Sequence, residues 1–510
     1  MKTRNVRVLQ FIGMAAAILA CTIAGPAAQA PEPVTAIVGA TVIDGNGGPP
    51  IANATVVVRG KRIVAVGPRA STTVPAGARV VDAAGKYVTP GFIDTNVHLS
   101  LYGGTPNERY ETFAKYQPRV DEVTLEAAQL HLKHGVTTVR DSYGQLRSLT
   151  RVRDRIAKGE AIGPRMLVAG NIVGWGGPFS ISFSVIRDQG LTLFQEQLND
   201  ELAQGAGEEL MDMTPTELRV AINSYLDKGP DFIKYGGTSH FSNPTFIGFS
   251  PEAQKVIVEE THKRRLVAET HSTSIEGLRM SIAAGIDLIQ HPEVLTPRAM
   301  PDDLARLIAD KKIICSVLAN TVTGGAWKRH LETVAETERK RAREAKDSTN
   351  GQRTKSLAEQ RLDRRELGID TATRRANLEK LIRAGAVITI GTDNYWAGAP
   401  EFARTPQRPE QKHGLGSIAA IEGLVELGMT PSQAIVAGTR NGAIAAKSLD
   451  QLGTLEAGKL ADLLVLEADP LANIANIRKL HLVMKEGRII DTASLPDRPV
   501  FSTRPKTTSN

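Results

Sequence analysis

Eight short apolar runs, spread through the middle of the chain and separated by stretches of helical periodicity, restrict this sequence more than any other feature. They are YVTPGFIDTN, VTTVRD, MLVAGN, DFIKYGG, LVAETH, DLIQH, IICSVLA and AVITIGTD. Strand-length runs that alternate with helical patterns call for crossover connections, hence a parallel sheet covered by helices. Gly135, Gly229, Gly285 and Gly385 each fall between a helical segment and the next strand, where a left-handed C-cap is wanted. Eight such units are met most economically by a (β/α)8 barrel of TIM type, which carries its chemistry at the C-terminal ends of its strands.

The chain has 510 residues, 41% of them hydrophobic and 23% charged, enough to bury one large core and a smaller second one. The second is expected from the flanks. Residues 31–89 hold β-rich runs such as VTAIVGATVID and ATVVVRG, and residues 447–500 hold LGTLEAGKLADLLVLEADP and IRKLHLVMKEGRII, of the same texture. The two flanks are predicted to pair into a small β-sandwich, with the barrel of residues 90–446 inserted between them and residues 501–510 left as a tail. Two stretches break the barrel's rhythm: residues 175–215, and the mixed-charge residues 327–368, read first as a solvated helix pair, with a partial lid over the barrel mouth as the sharper alternative given its position after the seventh strand.

Residues 1–30 read as an export signal. Lys2, Arg4 and Arg7 precede the apolar run Phe11 to Ile23, and Ala28-Gln29-Ala30 gives a small-residue cleavage pattern. The run is shorter than the roughly 20 residues of a spanning helix. Ile18-Leu19-Ala20-Cys21 resembles a bacterial lipobox, so the expected product is secreted or periplasmic, with membrane attachment only through a lipidated Cys21. Loss of the three signal cations lowers the formal charge from +7 to about +4, a balance that suggests no nucleic-acid partner. With Cys21 gone or lipidated, Cys315 is the remaining cysteine, so the mature chain has no intramolecular disulfide, and IICSVLA buries that thiol in a strand.

The chemistry collects on the predicted strand ends. His98 closes the first strand in GFIDTNVHLS, Lys234 sits within the fourth, His271 and His291 close the fifth and sixth, and Asp393 closes the eighth. Imidazoles and a carboxylate on one rim form a site for a divalent ion such as zinc, manganese or cobalt. Lys234 lies between Ile233 and Tyr235, where an unpaired ammonium is costly to bury. Burial lowers a lysine's pKa, and a neutral amine reacts with carbon dioxide to give a carbamate, an anionic oxygen ligand able to bridge two metals. Tyr235 and His240 follow the lysine strand and are candidate substrate contacts, whereas His131 and His134, on a helix before the second strand, are expected at the surface.

PGFID, GVTTVRD, GPRMLVAG, the Ile-Lys strand, the strand-end histidines, GTD and the tail LGTLEAGKLADLLVL together resemble the amidohydrolase superfamily, and more narrowly its imidazolonepropionase-like and Xaa-Pro dipeptidase-like branch. The resemblance implies a barrel with a β-sandwich, two divalent ions with zinc the first expectation, and a carboxylated lysine. It implies a metal-bound hydroxide that attacks an amide-type carbonyl, in an amide, N-acyl amino acid, dipeptide, urea or carbamate. By position the ligands would be Asn96, His98, Lys234, His271 and His291, with Asp393 as ligand and proton shuttle. Asn96 departs from the usual histidine. A carboxamide oxygen is a harder and weaker ligand than imidazole and would favour an ion such as manganese. The Asn-x-His pair is similar to that of a subgroup containing phenylurea and molinate hydrolases. Gly176-Gly177-Pro178 is a second departure, since related sequences often place a histidine after the two glycines.

The expected protein is therefore a metal-dependent hydrolase of small molecules, and a homo-oligomer. Two alternatives stand beside it: a one-metal deaminase, disfavoured by Lys234 and by the lack of a glutamate soon after His271, and a non-catalytic periplasmic binding protein.

Overall fold

The computed structural model describes residues 32–183, 190–240, 245–295, 298–347, 369–404 and 406–502. The export signal, the lipobox, much of the 327–368 stretch and nearly all of the tail lie outside the described residues.

Five strands open the chain: β1 (Val34–Val42), β2 (Ile51–Arg59), β3 (Arg62–Pro68), β4 (Arg79–Asp82) and β5 (Tyr87–Pro90). The barrel follows with β6 (Phe92–Tyr102), β7 (Val136–Asp141), β8 (Arg165–Val168), the two-residue β9 (Ile172–Val173), β10 (Phe232–Gly236), β11 (Val267–His271), β12 (Leu288–Gln290), β13 (Ile314–Val317) and β14 (Val387–Ile390), with β15 (Asn394–Trp396) beside β6. The chain ends in β16 (Leu463–Leu466), β17 (Leu480–Lys485) and β18 (Arg488–Ile490).

The barrel strands run as two parallel ladders, β9 to β14 and β15-β6-β7-β8. The ladders meet at two seams. On one, Asp231 N donates to Val168 O at 2.8 Å; on the other, Asp393 N donates to Asn96 O at 2.8 Å. The ring is the (β/α)8 barrel the apolar runs require. Every residue of β6, β7, β10, β11 and β12 is buried, the pattern of strands covered on both faces. Gly135, Gly229, Gly285 and Gly385 all hold the positive φ expected of them.

The flanks also combine. β16 pairs with β5 and β17, and β5 with β1, so hydrogen bonds join both ends of the chain into one eight-stranded sheet. Ile37, Val56, Ile63, Val88, Leu463, Val465 and Met484 fill a core of its own. The first predicted strand is cut in two at Gly91. Residues Tyr87–Pro90 serve the terminal sheet, and a Cβ at Gly91 would meet Thr137 Oγ1 at 2.2 Å, so only glycine passes the chain from one unit to the other.

Inside the ring a polar layer lies beneath the strand ends. Arg140 on β7 donates through Nη2 to Glu269 Oε2 on β11 at 2.7 Å and through Nη1 to Ala445 O at 2.6 Å, while Gln290 Nε2 on β12 donates to Glu269 Oε1 at 3.0 Å. Its guanidinium also lies 3.9 Å from the centre of the Phe232 ring. Both charged side chains are almost wholly excluded from water. A buried pair of this kind costs little while intact and much when halved. Glu269→Gln should therefore destabilise the fold by about 3–5 kcal/mol in a urea titration, and the double variant Arg140→Met/Glu269→Leu should recover most of that loss.

Candidate metal centre

Strand alternation aims the functional side chains. On β6, Asp94, Asn96 and His98 share one face. Asp94 sits deepest, accepting from Thr392 Oγ1 at 2.7 Å and Ser417 Oγ at 2.6 Å, and burial outweighs these bonds to push its pKa up to about 6. Above it Asn96 is fully buried, its Oδ1 accepting from the Ser142 hydroxyl and its Nδ2 donating to Asp393 Oδ1 at 3.2 Å. His98 Nε2 lies 2.7 Å from the same Asp393 oxygen. The other His98 nitrogen, Nδ1, is buried without a hydrogen-bond partner among the described residues.

Lys234 on β10 is 1% exposed, and its Nζ donates to Ser142 Oγ at 3.1 Å. Burial depresses its pKa, against the opposing charges of Asp393, Glu269 and Asp141. Asp141, at the end of β7, is itself raised to about 8 by burial, despite backbone N–H groups from Leu99 and Tyr143. His271 Nδ1 and His291 Nε2 stand 3.1 Å apart, and burial holds both imidazoles neutral, His291 down at about 3. Burial alone would raise Asp393. The hydrogen bond from His98 and the electrostatic pull of the groups around the carboxyl outweigh burial and hold it well below its ordinary range. His291 and Asp393 also share a backbone strain, with φ of 38° and 54°, left-handed values rare in non-glycine residues and concentrated at functional sites.

His98, Lys234, His271, His291 and Asp393 thus line one cavity of about 650 Å³. Among the described residues no three His, Cys, Asp or Glu side chains are gathered tightly enough to hold an ion as they stand; His98 is paired directly with Asp393, and His271 with His291. In kind, however, the donors fit a divalent cation: neutral imidazoles with lone pairs to give, an ionised carboxylate, an unpartnered His98 nitrogen and an amine deprived of solvation.

Asn96 lies behind that surface, engaged with Ser142 and Asp393. His240 lines the cavity, its ring 4.5 Å from Phe183 and 5.8 Å from His271. Tyr235 is a correction. It follows the inward Lys234 on β10, so it points out of the ring, fully buried with its hydroxyl donating to Gln254 Oε1 at 3.0 Å, and it cannot meet a substrate in the cavity. His131 is another, buried against His413 with their ring nitrogens 3.3 Å apart.

Sequence reading missed much of the cavity wall: Tyr102, Arg109, Tyr143, Trp175, Phe183 and Tyr395. Tyr143 and Trp175 come just after β7 and β9, and the strand-end rule would have found them. Arg109, on the helix α1 (Pro106–Tyr116), carries no such signal.

A model of the Amidohydrolase family matches residues 87–490. The chain is 31% identical to the solved structure of molinate hydrolase, with a TM-score of 0.79 over 94% of this chain and 99% of that one. It is 30% identical to the solved structure of phenylurea hydrolase B, with a TM-score of 0.79 over 92% of this chain and 100% of that one. It is also 24% identical over 466 residues to the ochratoxinase of Aspergillus niger, covering 86% of this chain and 82% of that protein.

His413 provides a pH test of the buried histidines. Burial first and the charge of His98 second lower its pKa from 6.5 to about 3, so below pH 6.5 the unfolded chain binds a proton that the fold refuses. Stability must fall with pH at about 1.4 kcal/mol per unit from this group. Asp94 and Asp141, whose pKa values are raised, act in the opposite direction, so the readout is a difference. Between pH 6.5 and 4.5 the wild-type protein should lose roughly 2–3 kcal/mol more than His413→Gln, measured by urea denaturation at each pH.

Proposed function

The chain belongs to the amidohydrolase family, and from that premise we propose that its cavity hydrolyses an amide-type carbon–nitrogen bond with the help of two divalent ions held at the ends of the barrel strands. It is a hydrolase of carbon–nitrogen bonds. The finer reading is supported chiefly by one observation: residues from β6, β10, β11, the end of β12 and the end of β14, far apart in sequence, bring two kinds of metal donor and a poorly solvated lysine to the wall of a single cavity.

His98, His271, His291 and Asp393 would hold the ions, with Lys234 bridging them as a carbamate and Asn96 behind. When bound, divalent ions there supply an activated water and polarise the scissile carbonyl. Asp393 is suited to receive a proton from that water and return it to the leaving nitrogen: it is ionised, it is fixed by His98 and Asn96, and it faces the cavity. Asn96 orients Asp393 and Ser142, and through Ser142 the lysine. Trp175, Phe183, Tyr143 and Tyr395 give the wall an aromatic part, which suits an apolar or aryl group on the substrate. That chemistry accords with the names of the similar proteins, a phenylurea hydrolase and a molinate hydrolase among them.

The deciding experiment combines metal analysis with a screen of arylureas, carbamates, N-acyl amino acids and dipeptides. Two ions per chain and release of an amine are expected; one ion with release of ammonia from a ring amine would favour a deaminase, and no ion with no turnover a binding protein. Asp393→Asn should keep the fold and lower kcat by about 100-fold or more, whereas a change in KM alone would contradict the proton-carrier role. Lys234→Ala should lose bound metal together with activity, and near-normal metal content in that variant would remove the carbamate bridge from the reading.

A further inference from the structure

Phe501 belongs to the stretch read from sequence as a tail, yet it is 5% exposed and Val500 beside it is 3% exposed. What holds them is Glu126, on the helix α2 (Val120–Lys133). Its carboxylate is 1% exposed and accepts three successive backbone N–H groups, from Val500, from Phe501 at 2.9 Å and from Ser502 at 2.6 Å. A buried carboxylate without such donors would be an uncompensated charge, so helix and C-terminal segment depend on each other.

The clip sets the Phe501 ring edge-on against Tyr116 at 4.7 Å, Trp396 at 5.0 Å and Tyr102 at 6.1 Å. Tyr102 lines the cavity, and Trp396 carries the lining residue Tyr395 next to it. Among the described residues the Tyr102 hydroxyl and the Trp396 indole N–H, both buried, have no hydrogen-bond partners. No polar bond from either side chain therefore fixes this part of the wall. Its position comes from ring packing, to which Phe113 and Phe501 both contribute against Tyr102.

We propose that the segment Val500–Ser502, clipped to Glu126, is a specificity element of the cavity: Phe501 backs Tyr102 and Trp396 and so limits the size of the group the cavity admits. Phe501 and Glu126 are positioning residues, outside the reach of any substrate. The inference rests on reading the cavity as the substrate site, and removal of the Phe501 ring should let the wall retreat.

The test uses ketones, which carry a carbonyl but no scissile carbon–nitrogen bond. Binding of acetophenone and benzophenone to the metal-loaded full chain is measured by calorimetry, with metal content and thermal midpoint followed in parallel. Phe501→Ala should shift the affinity ratio towards benzophenone by at least about tenfold, the scale on which apolar pockets discriminate size, with metal content unchanged. Phe501→Leu should return the ratio most of the way to wild type, and Glu126→Gln should shift it in the same direction by less. A Phe501→Ala ratio within about twofold of wild type, or equal loss of both ketones together with metal and thermal stability, overturns the proposal, as does a wild-type protein that binds neither ketone. A silent hydrolysis screen with normal ketone binding sinks the hydrolase reading and leaves the wall's role standing.

Discussion

The structure depends on keeping charge inside a ring of strands that water does not enter. Parallel strands covered on both faces send alternate side chains into a low-dielectric interior, and here that interior holds Arg140, Glu269, Lys234, Asp141, Asp94 and the cavity-lining histidines. Each is tolerable only because of what surrounds it. Arg140 and Glu269 neutralise each other, Asp94 and Asp141 are pushed towards their protonated forms, and the imidazoles of His271 and His291 are held neutral. Asn96 serves the seam and the cavity together, since its backbone joins the two ladders by accepting from Asp393 N and its side chain donates to Asp393 Oδ1.

How much of this could be read in the sequence follows from what a local pattern can carry. His98, Lys234, His271, His291 and Asp393 were legible because each stands in or at the end of an apolar run, and the barrel turns position along a strand into position on a rim. Tyr235 was misread by neglect of the same rule at finer scale: with period two, a residue next to an inward lysine faces out. His131 was misjudged because its helix is buried on the side that meets His413, a partner nearly three hundred residues away. Arg109, Phe183 and the part played by Phe501 had no local signature, since they reach the cavity through loops, a helix face and a C-terminal segment that only tertiary packing brings there.

Asn96 is the most instructive position. Its change from histidine suggested a weakened ligand, whereas its neighbours show a side chain with two tasks, accepting from Ser142 and donating to Asp393. An imidazole has one nitrogen for each direction, but a carboxamide carries acceptor and donor on one carbon, which suits a position wedged between a hydroxyl and a carboxylate.

The pairing of β5 with β16 bears on how the molecule comes into being. Val88 lies opposite Val465, and the small core shared by these strands includes Leu463 and Met484. A ribosome working from the N-terminus releases β1 to β5 long before their last partners exist, so the first unit begun is among the last completed. Contacts of such sequence separation make for slow folding and a long-lived partly assembled chain. Until residues Leu463–Leu466 are available, the exposed edge of β5 is the place where a second chain's strand would most readily add, and aggregation during expression should begin there.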